Sequence, residues 1–138
     1  MDSSQQARLS RRDYETAAEL RVALRRFNSR SEQITRTHGL TPQRYQLLLL
    51  IKASPGQTAT VGELSKALAI GQSAVTQLVH RAETLGLVRR HPSKKDARVR
   101  HLRLTREGER RLAGAVAELG QERTALLASL GQLEPEAS

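Results

Sequence analysis

Between Val61 and Thr105 the apolar positions change their spacing twice, and this constrains the fold more than any other feature of the chain. Val61, Leu64, Ala67 and Leu68 recur at helical steps until Ile70-Gly71 interrupts them. Val75, Leu78, Val79, Ala82 and Leu85 resume the helical period as far as Gly86. Beyond it, LVRRH and RVRHLRLT flank PSKKD and alternate with the two-residue period of strands. Helical spacing gathers residues three and four apart on one face, whereas two-residue alternation divides a segment between two faces. The pattern predicts two helices joined by a tight turn, the second from about Gln72 to Leu85, then a hairpin whose tip is Ser93 to Ala97. Leu102 and Leu104 should face inward and Arg103 outward. Arg100 shares the parity of the leucines, so either its stem lies along the surface or the strand has left the core by that point; the second is favoured, because the tip should project.

The flanking segments are helical by the same reasoning. No proline or glycine lies between Asp13 and Thr37, and Leu20, Leu24, Phe27 and Ile34 form one stripe. Gly39 supplies the left-handed residue that ends such a helix. Thr41-Pro42 reads as an N-cap followed by proline at the first helical position. The run LLLLI makes the helix it opens apolar on nearly every side, hence central. SPGQTAT reads as a loop from its Pro, Gly, Ser and Thr content. Thr105 is placed to cap a final helix with Glu107 in its first turn. Leu112, Val116, Leu119, Leu126 and Leu130 form its heptad-like seam, interrupted by Arg123. The expected fold is mainly α with a small β-hairpin wing, one domain over 1–138. Residues 41–104 form the winged helix-turn-helix, and 13–38 and 106–130 form long helices that bury their seams against a second copy, because the middle segment is too small to cover them.

Charge then narrows the function. The chain carries 23 Lys and Arg against 14 Asp and Glu, a formal net charge of +9, the balance of a protein that meets polyanions. No run of about 18 apolar residues offers a membrane span, and MDSSQQARLS lacks a signal peptide's apolar stretch, so a soluble cytoplasmic protein is expected. Cysteine is absent and the four histidines have no metal-ligand spacing, so neither a metal nor another cofactor is expected. There is also no phosphate-cradling glycine loop and no Ser/His/Asp set that this fold would assemble, which argues against an enzyme.

The candidate binding residues follow from the two periods. Opposite the apolar face of the second short helix lie Ser73, Gln77, His80 and Thr84, with Thr76 and Arg81 on the shoulders and Gln72 at its start. Such side chains can hydrogen-bond base edges in a major groove or phosphates beside it. Lys94 and Lys95 suit phosphate, which a flexible ammonium meets without planar geometry. Arg98 suits a narrow minor groove, where the potential is most negative. Asp96 either orients Arg98 through a charge-assisted hydrogen bond or is an ordinary turn residue. The bland reading of the whole hairpin is a charged edge that discourages sheet aggregation.

GELSKALAIGQSAVTQLVHRAETLGLVRRHPSKKDARVRHLRLTREG, with its Asp96-Ala97-Arg98 step and the following Leu104-Thr105-Arg106-Glu107-Gly108, resembles the DNA-binding core of the MarR family of bacterial transcription regulators. The resemblance implies an obligate homodimer with intertwined terminal helices, one winged helix on each half of a near-palindromic operator, and a wing arginine in the minor groove steadied by the nearby aspartate. It further implies a small aromatic or anionic effector bound between the dimer helices and the winged helix. Phe27, His38, Arg44 and Tyr45 lie in the stretches that would line such a cleft, and are otherwise ordinary core and surface-helix residues. A sequence-specific repressor is the leading expectation. An architectural or RNA-binding winged helix of low sequence preference is the alternative.

Overall fold

The computed structural model describes residues 8–92, 95 and 98–133. In chain order its elements are α1 (Arg11–Thr37), α2 (Pro42–Ala53), a 3-10 turn (Pro55–Gln57), α3 (Val61–Leu68), α4 (Gln72–Thr84), β1 (Val88–Pro92), β2 (Arg100–Leu104), α5 (Arg106–Glu118) and α6 (Gly120–Gly131). They fall into two compact units: Ile34–Glu118, and the described residues up to Gln33 together with those from Leu119 onward.

The central unit is a winged helix-turn-helix. α1 ends as expected: Gly39, at φ 73°, lets its own N–H reach Arg36 O and the Leu40 N–H reach Thr35 O, both at 3.0 Å. The Thr41 hydroxyl accepts the Arg44 N–H at 3.2 Å and Pro42 opens α2, again as the sequence indicated. α2 is central because Leu47, Leu48 and Ile51 have no exposed surface, while Leu49 and Leu50 pack against the same core. Around them lie Leu64 of α3, Val75, Val79 and Ala82 of α4, Val88, Leu102 and Leu104 of the hairpin, and Leu112 of α5. Leu112, expected in the terminal seam, is thus a core residue of this unit.

The turn between α3 and α4 differs from the expected break at Ile70-Gly71. Ala69 takes the left-handed conformation, at φ 56°, and Gly71 has an ordinary φ of −66°. The Ile70 N–H bonds Ser65 O at 3.3 Å and the Ser65 hydroxyl bonds Ile70 O, so the chain is turned one position earlier by its own hydrogen bonds. Thr60 and Glu63 close a reciprocal capping box at the start of α3. α4 ends at Thr84 rather than Leu85, and Leu85 is 47% exposed. The left-handed turn at Gly86 carries the chain away before that side chain can rejoin the buried row.

The hairpin pairs antiparallel, Val88 opposite Leu104, Arg90 opposite Leu102 and Pro92 opposite Arg100. Leu102 and Leu104 are buried while Arg103 and Arg100 are exposed, so the strand has left the core at Arg100 as its parity indicated. The ladder stops at Pro92 and Arg100, so Arg98 and Val99 fall outside the strands and the connection is longer than Ser93–Ala97. SPGQTAT is not wholly loop: Pro55–Gln57 is helical, and Ala59 exchanges both backbone hydrogen bonds with Leu102 at 2.8 and 3.1 Å.

The base of the wing is tied to α5. The Thr105 N–H donates to Leu87 O at 3.0 Å, its hydroxyl donates to Gly86 O, and that hydroxyl oxygen accepts the Gly108 N–H at 3.1 Å. Gly108 packs so closely on Leu87, just before β1, that a Cβ there would lie 2.1 Å from Leu87 O. Only glycine fits.

In the other unit, α1 starts two residues before the expected Asp13. The Ser10 hydroxyl accepts the Asp13 N–H at 3.3 Å and the Asp13 carboxylate accepts the Ser10 N–H at 2.7 Å, a reciprocal cap. The single helix expected over 106–130 is two, divided by a turn at Leu119, whose angles (φ −76°, ψ −4°) stay in the right-handed region. A groove of about 850 Å³ runs between α1 and α6, lined by Val22, Ala23 and Phe27 on one side and Ala125, Leu126 and Leu133 on the other. Leu20, Val22 and Leu127 expose much of their surface. Arg30 spans the groove to Glu122 at 3.4 Å.

Candidate nucleic-acid interface

α4 separates its residues cleanly. Val75, Val79 and Ala82 are fully buried, whereas Gln72, Ser73, Thr76, Gln77, His80, Arg81 and Thr84 are all exposed. The three apolar side chains fix the helix rotation, and that rotation presents the polar row to solvent as the period predicted. Among the described residues no hydrogen bond uses the Gln77 or Ser73 side chain, in keeping with groups placed toward solvent.

The wing continues this surface. Lys95 and Arg98 are exposed, as are Arg89, Arg100 and Arg103. Lys94 and Asp96 lie outside the described residues, so the orienting role considered for Asp96 rests on sequence alone. Arg90 and Arg103 are committed within the protein. Arg90 Nε donates to Glu83 Oε1 at 2.9 Å, joining β1 to the last turn of α4, and Arg103 donates to Gly56 O at 3.2 Å on the opposite face of the hairpin. Sequence reasoning missed both, although the acid at Glu83 beside a basic strand was the signal available for the first. Lys52 links Gln57 and Glu109, each at 3.0 Å, and supports the same 3-10 turn.

The four candidate effector residues are distributed rather than gathered. Phe27 lines the groove between α1 and α6. Arg44 lines a separate cavity of about 530 Å³ with Leu68, Ile70, Ala74, Leu78, Gln77 and Arg81. His38 Nε2 sits 2.6 Å from Glu118 Oε2, and its ring occupies the space above Gly114, where a Cβ would lie 2.6 Å from Nδ1. Tyr45 packs against the core. Arg44 is the one of the four that shares a cavity with the exposed face of α4.

At the start of α5, Glu107 accepts hydrogen bonds from Arg110 at 2.6 and 2.9 Å and from Arg111 at 2.8 Å. The two guanidinium groups hold its carboxyl at a pKa of about 2, below the usual 4.5, Arg110 contributing most. Arg111 reaches on to Gly39 O at 3.0 Å, so this cluster ties α5 to the end of α1 within the central unit. Among the described residues no His, Cys, Asp and Glu group of three or more is arranged to hold a metal, and no helix is long and apolar enough to cross a membrane.

Residues 38–99, from the end of α1 into the wing, match the model of the MarR family. Over this winged-helix core the chain is similar to the MarR family. A Thauera aromatica protein, named as a candidate transcriptional regulatory protein for the hcr operon, is 33% identical over 102 residues, which cover 70% of this chain. The alignment spans 60% of that relative's own length. Solved MarR-family structures share the fold. AbsC from Streptomyces coelicolor superposes with a TM-score of 0.70 at 21% identity, covering 92% of this chain and 84% of AbsC. A mutant of Escherichia coli MarR complexed with operator DNA gives 0.63 at 22% identity, covering 80% and 86% of the two chains. The MarR-family match contains the whole of α4 and all the candidate DNA-contacting side chains.

Proposed function

We propose that this chain is a MarR-family transcription regulator that binds double-stranded DNA as a homodimer, with α4 in the major groove and the wing against the backbone and minor groove. The observation that carries the reading is the face of α4: an exposed row of hydrogen-bonding side chains, opposite fully buried apolar ones, beside an exposed basic hairpin. An α-helix fits the major groove, where Gln72, Ser73, Thr76, Gln77, His80 and Arg81 supply donors and acceptors for base edges and phosphates. Lys94 and Lys95 neutralise phosphate, and Arg98 enters the minor groove, steadied by Asp96. Support comes from the related E. coli protein, solved with operator DNA. The groove between α1 and α6, with Leu20, Val22 and Leu127 exposed, supports pairing of the terminal helices with those of a second copy.

The test is selection of duplexes from a random pool, followed by titration of the selected duplex, a random duplex and RNA at physiological salt. A specific regulator prefers the selected duplex by roughly a thousandfold or more. Equal binding to all three would establish the architectural or RNA-binding alternative instead. Sedimentation at micromolar concentration should show a dimer, and a folded monomer there would remove the paired-helix reading.

Repression lifted by a small effector is the regulatory part of the proposal. The cavity holding Arg44 supports it, because Arg44 and Arg81 offer cationic donors while Leu68, Ile70 and Leu78 offer apolar wall. An aromatic carboxylate there would occupy the Gln77 and Arg81 side of α4 and compete with DNA. Benzoate should weaken duplex binding by the wild-type chain and leave Arg44→Ala unaffected.

A further inference from the structure

We infer that Glu83 is a positioning residue: by holding Arg90 it fixes the wing relative to α4, and so sets the spacing between the two DNA-contacting elements of the proposed function, on which this inference rests. Arg90 Nε lies 2.9 Å from Glu83 Oε1, with side chains 38% and 29% exposed. Glu83 is otherwise hard to account for. It is the penultimate residue of α4, where a carboxylate opposes the helix dipole, and it borders a face that meets a polyanion. Both effects disfavour an acid. The contact with Arg90 gives it a purpose.

The register shows why this contact sets geometry. Arg90 pairs with Leu102 and so lies on the same side of the hairpin as Val88, Leu102 and Leu104, the side turned to the core. Val88 and Leu104 are buried, and the next pair outward beyond Arg90, Pro92 with Arg100, is exposed. Arg90 therefore stands about 7 Å along the strand from Val88, at about 3.3 Å per residue, level with buried Leu102 and at the last pair before the hairpin departs from the body. A two-stranded hairpin is only marginally stable by itself, so a brace at this height limits its pivoting about the base. Any tilt there is magnified at Lys95 and Arg98, which lie further out. Holding the wing in place before DNA arrives removes part of the ordering cost of binding.

The signs of two effects are opposite, which makes the inference testable. Removing a negative charge beside DNA should strengthen binding on charge alone, whereas releasing the wing should weaken it. The probe is a duplex selected by the wild-type chain from a random pool, titrated by fluorescence anisotropy at physiological salt, with melting temperatures measured in parallel. Glu83→Gln should melt at or slightly above the wild type, because the helix end is relieved, yet bind roughly two- to fivefold more weakly, the span that exposed ion pairs cover. In a Lys95→Ala, Arg98→Ala background the same change should cost nothing further, since the wing contacts it positions are gone. Glu83→Arg combined with Arg90→Glu should restore binding to within about twofold of the wild type, an ion pair being present again. Three results overturn the inference: equal or tighter binding by Glu83→Gln, the same loss in the wing-deficient background, or an exchanged pair as weak as Arg90→Glu alone, which would mean that Arg90 meets phosphate itself. Failure of the wild-type chain to select any duplex is a different result; it overturns the DNA-binding reading, and this inference with it.

Discussion

Gly108→Ala isolates the junction that carries the wing. A Cβ at this position would lie 2.1 Å from Leu87 O and 3.0 Å from Leu87 C, where ordinary contact begins at 3.4 Å. Both sides of the clash are backbone, so no change of rotamer relieves it. The first turn of α5 must move away by about 1 Å, and that movement stretches the Thr105 N–H to Leu87 O bond of 3.0 Å and the hydroxyl bond to Gly86 O. Each net hydrogen bond is worth about 0.5–1.5 kcal/mol and overpacking costs about 1–3 kcal/mol. Alanine returns about 1 kcal/mol through its higher helix propensity. The balance is a loss of about 1–5 kcal/mol, centred near 3, which for a unit of this size lowers the melting temperature by roughly 10–25 °C at that centre.

Thermal unfolding followed by circular dichroism, with urea midpoints as a second measure, reads this directly. Gly131→Ala is the control, because nothing lies within 4 Å of the added carbon, and it should melt at the wild-type temperature or above. If Gly108→Ala melts within about 2 °C of the wild type, the close approach of α5 to Leu87 is not a constraint on the fold and the account of the wing base is wrong.

The pH dependence of stability should carry the signature of Glu107: its folded pKa is lowered to about 2, so its contribution is complete above 4.5 and is lost as pH falls from 4.5 toward 2. Glu107→Gln should flatten that part of the stability profile; an unchanged acid limb would show that the Arg110 and Arg111 contacts do not persist in solution. Ala69→Gly should raise stability by a few tenths to about 1 kcal/mol, because relief of the left-handed strain at φ 56° exceeds the added unfolded-state entropy, and urea midpoints should rise accordingly. Gln77→Ala or Ser73→Ala should relax preference at particular base pairs of the selected duplex by about 1–3 kcal/mol each, whereas equal loss on random DNA would mean that this face touches only backbone. Lys95→Ala should weaken both duplexes alike and lower the salt slope by about two per dimer, while Arg98→Ala should cost most where A·T steps narrow the minor groove.

The sequence was most informative where a side chain's role depends on its near neighbours. Thr41-Pro42, Gly39, Gly86 and Thr105 end or begin elements through bonds to residues no more than five positions away, or through a backbone angle, and each behaves as its local context indicates. The face of α4 was equally legible, since a helix with three fully buried apolar positions has only one way to turn. What escaped depends on distant or weaker signals. Ser10 and Asp13 carry the serine-to-acid spacing of a cap, but the apolar stripe that marked the helix starts later. Ala59 pairs with Leu102, 43 positions away, and no feature of SPGQTAT announces a strand partner. Ala69 rather than Gly71 turns the chain because Ser65 captures Ile70, a contact that residue preferences alone argue against. Of the candidate binding residues, the α4 row shares one exposed face, Lys95 and Arg98 are exposed on the wing, and Phe27, His38, Arg44 and Tyr45 have separate surroundings. Those four were chosen by position along the chain, which does not specify which cavity a side chain enters.

The bonds around the hairpin explain how so much charge can be carried at its tip without unsettling the unit. Its base is held by neutral backbone bonds, from Leu87 to Thr105 and from Ala59 to Leu102, which salt does not screen. Level with Leu102, Arg90 is held from one face by Glu83, and on the other face Arg103, one residue nearer α5, is held by the carbonyl of Gly56. These contacts make two arginines part of the support. Lys95, Arg98 and Arg100 are exposed beyond them and take no part in the buried core. Stability and DNA affinity should therefore separate along the hairpin. Substitutions at Leu87, Leu102 or Gly108 should unfold the unit before they alter recognition, whereas those at Lys95 or Arg98 should change affinity, salt dependence and groove preference at an unchanged melting temperature. Glu83 and Arg90 lie where the two regimes meet, which is why a change there should be nearly silent in melting and visible in binding.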